Sequence, residues 1–199
     1  MPALPSVWVL TVDRPALVLG STQPEPSTAA GPAAGDGVEV VRRRSGGGAV
    51  LVEPDSPLWV DVLVPAGDRL WTPDVGRAFL WLGDAWSGAL TAAGVAGATV
   101  HRGPPRRDRL SRTVCFAGLG TGEVAIGGRK VVGISQRRTR HGALFQCAAL
   151  LRWDPDRTAA LAGVGADLAD LADLADGAAP VPIAAAALEQ AFLKSLNRW

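Results

Sequence analysis

Over the first third of the chain, apolar residues come in short alternating or continuous runs, and only after Pro73 do they take up a helical period. VWVLTV, a turn at Asp13-Arg14-Pro15 and ALVLG read as a strand pair ending on Gly20, because β-forming residues are bounded by turn formers. Residues 24–37, PEPSTAAGPAAGDG, read as a flexible loop. VEVVR, AVLV and LWVDVLV (58–64) read as strands, with Gly46-Gly47-Gly48 between the first two. From Pro73 onward, Val75, Phe79, Leu82, Trp86, Leu90 and Ala93 follow 3-4 spacing, which predicts a helix with one apolar face stopped near Gly94.

The second half returns to strands. TVCFAG, EVAI, RKVVGISQ and GALFQCAALL each have strand character, and Gly127-Gly128 marks a two-residue hairpin that needs positive φ at both positions. A turn centred there pairs Ala125 with Lys130 and Glu123 with Val132, which makes Glu123 a diagonal neighbour of Lys130 at about 7–8 Å between backbones. The stretch 166–180 opens with ADLADLADLAD, a short repeat read as a helix or a low-complexity linker. A last helix carries Ile183, Ala187, Leu188, Phe192 and Leu196 on one face. Strands and helices do not alternate regularly, so the predicted class is α+β with a mixed sheet, and the 199 residues fit one domain.

Composition changes this picture mainly by exclusion. Hydrophobic residues make up 48% and charged residues 20%, which is globular usage rather than disorder. No apolar run is long enough for a membrane span, and the N-terminus lacks the pattern of a signal peptide, so the expected location is the cytoplasm with no membrane partner. The net charge of +1 gives no reason to expect nucleic acid. Cys115 and Cys147, with no C-x-x-C pair, give no metal site and no disulfide framework. The basic residues are 18 Arg and two Lys, so Lys130 and Lys194 stand out where arginine would serve any solvated position. His101 to Arg112 holds five arginines against one aspartate.

Two segments carry candidate chemistry. Arg42-Arg43-Arg44-Ser45-Gly46-Gly47-Gly48 is either an anion-binding loop, in which glycine N–H groups and forked arginines meet oxygens, or a glycine hairpin with solvated arginines. It has neither the P-loop nor the dinucleotide spacing. The second segment is Gly128-Arg129-Lys130-Val131-Val132-Gly133-Ile134-Ser135-Gln136, followed by His141-Gly142.

Together these resemble the lipoate–protein ligase and octanoyltransferase family, whose signatures are R-R-x-S-G-G-G-A-V and, farther on, G-x-K-[IV]-x-G-S-A-Q followed by H-G. PALVLGSTQ is similar to the family's strand leading into a G-x-x-Q segment, here Gly20 and Gln23. The resemblance covers nearly the whole chain. It implies a mixed sheet of the biotin/lipoate protein ligase catalytic-domain type, with a medium-chain acyl group in an apolar tunnel beside the glycine loop. It makes Lys130 the lysine that faces the reacting carbonyl, where an ammonium on a rigid strand stabilises an oxyanion. The other reading of Lys130 is a cross-strand ion pair with Glu123 on an exposed face. Arg43, Arg44, Ser45, Gly46, Gly47, Gly48, Gly133, Ser135, His141 and Gly142 are the implied substrate-binding residues, with His141 lining the site.

Cys115-Phe116, with Glu123 eight positions on and Lys130 fifteen on, is similar to the C-F-x-x-P-S-x-Y-E pattern of the cysteine-dependent octanoyltransferases and amidotransferases. There the thiol attacks an acyl thioester, and a nearby ammonium favours the reactive thiolate. The alternative is a small buried cysteine on a strand, which is also the reading for Cys147. The sequence departs from the family in three places. Leu119-Gly120-Thr121-Gly122 stands for Pro-Ser-x-Tyr, LVEPDSPLW for the ligases' His-Asp-x-Gly-Asn, and Gly118-Leu119 for their Asn-Asp pair. The first is a departure from the transferase pattern, whereas the other two, with no room expected for an accessory C-terminal domain, favour acyl transfer over ATP-dependent ligation.

The implied function is transfer of an octanoyl or lipoyl group to a lysine of a lipoyl carrier domain, of a 2-oxoacid dehydrogenase or glycine cleavage protein, with an acyl carrier protein as donor. The alternatives are a ligase using ATP and Mg through a lipoyl-adenylate, and a non-catalytic relative that binds a lipoylated partner. The transferase requires no cofactor.

Overall fold

The computed structural model describes residues 4–26, 37–165 and 167–199. Residues 27–36, most of the loop expected at 24–37, lie outside the described residues, as does Ala166 at the start of the 166–180 stretch.

Two sheets form. The larger contains β1 (Ser6–Leu10), β5 (Leu58–Pro65), β9 (Gly142–Ala149), β8 (Arg129–Thr139), β7 (Val124–Ile126) and β6 (Ala98–Val100), in that spatial order and antiparallel throughout. The smaller contains β3 (Glu39–Arg42), β2 (Ala16–Leu19) and β4 (Val50–Val52), with β2 parallel to β3 and antiparallel to β4. The α+β class is as expected. The expected pairing of the first two strands is not. β1 pairs with β5 and β2 joins the other sheet, because a fully buried β2 belongs between two partners whereas β1, largely exposed, forms an edge.

β5 shows why a run such as LWVDVLV is almost wholly apolar: both of its faces are covered. Leu58, Val60, Val62 and Val64 enter the core under α1 (Leu80–Ala92) and α4 (Ala185–Leu196), where Trp86 stacks on Phe192 at 3.7 Å between centroids. Trp59 turns the other way, into a cluster with Val18, Val50, Phe116 and Ala148 between the sheets. The helix predicted from Pro73 begins later: Val75 is exposed, Arg77–Phe79 make a single 3-10 turn, and α1 ends before Gly94, whose φ of 85° closes it. Ala187, expected on the apolar face of α4, is exposed, while Leu188 and Phe192 are fully buried. The remaining helices are α2 (Pro155–Ala162), capped by Asp154, and α3 (Leu168–Gly177), the ADL repeat, which buries Leu174. No helix among the described residues is long and apolar enough to cross a membrane.

Two differences shape the site. TVCFAG is not a strand: Val114 makes one parallel bridge to Ala49, and Cys115–Ala117 then turn in a 3-10 helix. Contact with the glycine loop overrides strand propensity, since a Cβ on Gly48 would lie 2.7 Å from Cys115 N. The hairpin at Gly127-Gly128 forms with φ of 59° and 83°, and Ala125 pairs with Lys130 as expected. A bulge then moves the register by one, so Val132 faces Val124 rather than Glu123.

Candidate active site

The bulge frees Glu123 from the ladder and turns its carboxylate inward. Its Oε1 accepts from Lys130 Nζ at 2.7 Å and from Ile134 N at 3.0 Å, and its Oε2 accepts from Gly120 N. The ion pair foreseen on an exposed face is buried, with side chains 2% and 6% exposed. The Lys130 ammonium also donates to Cys115 O at 2.9 Å, lies 3.8 Å from Cys115 Sγ, and sits 4.9 Å from the centroid of the Phe116 ring. Burial opposes that charge, but Cys115 and Glu123 outweigh it and hold the lysine pKa above its ordinary value. Gly133 makes the room, because a Cβ there would lie 3.0 Å from Lys130 Cε.

Arg43 builds the glycine loop. Its guanidinium donates to Val18 O at 2.9 Å and to Gly46 O and Gly48 O at 2.8 Å each, tying the ends of the loop together beneath Cys115. Burial pulls the Arg43 pKa down while the charge of Cys115 raises it. Gly47, at φ 101°, would bring a Cβ within 3.8 Å of Cys115 Sγ, so its bare backbone leaves the thiol open. Gln23 braces the same region, accepting from Gly20 N at 2.8 Å and donating to Thr113 O at 3.0 Å.

A cleft of about 560 Å³ opens over this group, lined by Gln23, Gly47, Gly48, Cys115, Glu123 and Lys130 and walled by Arg106, Arg107 and Arg112. The arginine run is thus divided. Arg102 pairs with Asp84 and Arg109 with Asp170, anchoring the segment, while the other three face the cleft.

The remaining sequence candidates scatter. Arg44 is exposed. Ser45 and Ser135 do not face the cleft: their hydroxyls meet at 2.9 Å, and Ser45 donates to Gln146 Oε1 at 2.8 Å. His141 and Gly142 are not brought to the site. They sit at the β8–β9 turn, nine residues along β8 from Lys130, or roughly 30 Å. Cys147 faces the helical core, and burial pushes its thiol up to about 12. The sequence carries no motif for Asp61, which is buried, or for Gln146, which is half-buried against Ser45 of the glycine loop. A charge at the centre of LWVDVLV was the one available signal. Asp61 accepts from Trp59 Nε1 at 2.8 Å, and burial raises its pKa against that bond and the one from Gln146.

A six-stranded antiparallel sheet backed by helices and a second sheet that presents a glycine loop to a buried lysine make up a fold shared with solved lipoate ligases. Solved structures agree. Lipoate-protein ligase A bound with ATP matches at a TM-score of 0.73 and 17% identity, over 98% of this chain and 72% of its own. A Thermoplasma acidophilum protein with bound lipoic acid matches at 0.72 and 16%, over 98% and 71%. The bi-partite lipoate protein ligase of Thermoplasma acidophilum, described with its E2 lipoyl domain, matches at 0.71 and 17%, over 98% and 70%. No curated protein matches the chain. The family described as Lipoyl protein ligase A/B catalytic domain matches residues 2–194, and the chain belongs to it.

Proposed function

We propose that this chain is an acyltransferase of protein lipoylation, which takes an octanoyl or lipoyl group from a carrier thioester onto Cys115 and passes it to a lysine of a lipoyl carrier domain. One observation carries the reading: the Cys115 thiol and the Lys130 ammonium stand 3.8 Å apart on the wall of one open cleft. The thiolate attacks the donor carbonyl, the bond to the donor sulfur breaks, and the donor leaves as a thiol with the proton Cys115 gave up. A neutral acceptor amine then attacks the Cys115 thioester, and its proton returns to the departing sulfur. Lys130 steadies the oxyanion in both halves without reorganising, since Glu123 and Cys115 O already fix its ammonium.

ATP-dependent ligation is the second reading, favoured by the three arginines of the cleft as phosphate partners. Its magnesium fits this cleft poorly. Glu123 is the one carboxylate among the described residues lining it, and that carboxylate already accepts three hydrogen bonds.

The deciding experiment is incubation with octanoyl-carrier thioester and no acceptor, read by intact mass. One octanoyl group is expected, labile to neutral hydroxylamine, absent from Cys115→Ala and retained in Cys147→Ala. Pyrophosphate release from ATP and lipoate by Cys115→Ala, with no adduct on the native protein, would establish the ligase instead.

The cleft arginines also make a prediction about the donor. Arg106, Arg107 and Arg112 should speed encounter with an acidic carrier protein, so kcat/KM should fall steeply as salt shortens the screening length, from about 30 Å at 0.01 M to about 10 Å at 0.1 M. A flat profile would remove carrier docking from the role of this loop.

A further inference from the structure

The acyl-enzyme reading requires the acyl chain to go somewhere from Cys115, and the one enclosed space that the thiol itself lines among the described residues is nearly closed. Behind the thiol lies a slot of only about 10 Å³, room for about one water, with Val50, Trp59, Phe116, Ile134 and Ala148 as its apolar walls. An apolar tunnel starting at the thiol is therefore shut at this slot.

The walls are not equally free to move. Phe116 adjoins the nucleophile and packs under the Lys130 ammonium, and Ile134 is tied through its N–H to Glu123, so displacing either disturbs the groups that hold Lys130. Trp59 is the large wall residue with no such tie. It stands on β5 opposite Ala148, in a cluster that also contains Ala16, and it is held by a chain of its own. Its Nε1 donates to Asp61 Oδ1 at 2.8 Å, Gln146 Nε2 donates to the same oxygen at 3.5 Å, and Ser45 donates to Gln146 Oε1 at 2.8 Å. Asp61, Gln146 and Ser135 are register partners across β5, β9 and β8, so this chain is built into the sheet beside the slot.

We infer that Trp59 is the stopper of the acyl slot and sets the acyl length the enzyme accepts, with Asp61 as the latch that holds the indole closed. A short acyl group on Cys115 leaves the indole in place. A medium chain enters only by turning it aside and breaking the bond to Asp61, so the latch lowers the rate for long chains relative to short ones.

The inference rests on the Cys115 reading, and its test separates the two. Acetyl- and octanoyl-N-acetylcysteamine are offered to the native protein, and the ratio of Cys115 acylation rates, octanoyl over acetyl, is measured by intact mass. Trp59→Phe keeps an aromatic ring in the cluster but loses the bond and part of the bulk. Its ratio should rise by about fivefold, the equilibrium weight of one net hydrogen bond. Asp61→Leu should raise the ratio similarly while leaving the indole in place, and Asp61→Asn, which restores an acceptor, should return it toward the native value. An unchanged ratio in both Trp59→Phe and Asp61→Leu overturns the inference and leaves Cys115 standing as nucleophile. Should neither thioester load Cys115, the catalytic reading fails, and titration with sodium octanoate decides the stopper separately. The indole N–H resonance missing from Trp59→Phe then shifts if octanoate displaces the ring, and its remaining fixed overturns the inference.

Discussion

Lys130→Arg is expected to lower kcat/KM for acyl transfer by about 10²–10³, the loss typical of removing one well-placed oxyanion donor. The charge is conserved, so the effect isolates shape. The ammonium reaches Glu123 Oε1 at 2.7 Å and Cys115 O at 2.9 Å while facing Cys115 Sγ at 3.8 Å, all within a side chain 2% exposed. A planar guanidinium can keep the pair with Glu123, but it cannot present a compact charge to the sulfur as well. Space is already short, since Gly133 carries no Cβ where one would lie 3.0 Å from Lys130 Cε. Overpacking should therefore cost about 1–3 kcal/mol of stability without preventing folding. Acylation of a carrier domain followed by mass spectrometry, alongside a melting curve, checks both parts. Activity within tenfold of native in a folded variant would remove Lys130 from the chemistry.

Some of this site is encoded locally in the sequence and some only by tertiary packing. Strands buried on both faces, such as LWVDVLV, and the Gly127-Gly128 turn are encoded locally, one by a run of apolar residues and the other by a demand for positive φ. The motifs that hold Lys130, Cys115 and the glycine loop are legible as local segments, and the fold brings all three to one cleft. Pairing was harder. β1 and β2 look like a hairpin because they are adjacent, yet the partners of β1 lie some fifty residues on, in β5, where only tertiary packing decides. The bulge at Val124/Ala125 is equally invisible, although it converts Glu123 from a cross-strand neighbour into the buried partner of Lys130. For Arg43 the sequence leaves open an anion binder or a solvated arginine, and it is neither: its guanidinium is buried and donates to the carbonyls of Val18, Gly46 and Gly48. His141 followed a motif that the 11-residue length of β8 carries away from the cleft. Asp61 meets Gln146 across 85 positions of sequence, a contact that spacing alone does not encode.

Glu123→Gln should be the most damaging single change to stability at the site, and its cost should shrink as pH rises. The variant is nearly isosteric, yet it leaves the Lys130 charge buried without its carboxylate and offers an amide where Gly120 N and Ile134 N both donate. Breaking one side of a buried pair costs about 3–5 kcal/mol, which for a domain of this size lowers the melting temperature by about 10 °C. In the native protein the raised lysine pKa means that the folded state holds its proton more tightly than the unfolded state. That contribution is complete below about pH 10 and is lost as pH climbs through the folded value. In Glu123→Gln one of the two partners that offset burial is gone, leaving Cys115 alone against it, and the lysine pKa falls below its native value. The folded variant then sheds its proton at lower pH than the folded native protein does, so the stability gap between the two narrows as pH rises. Scanning calorimetry of both proteins at pH 7 and pH 9.5 should find the melting gap smaller at the higher value, with acyl transfer by the variant falling as the ammonium is lost. A gap below about 2 °C at pH 7, less than one kcal/mol for a domain of this size, would mean that the pair contributes little, and a gap independent of pH would mean that Lys130 keeps its proton without Glu123.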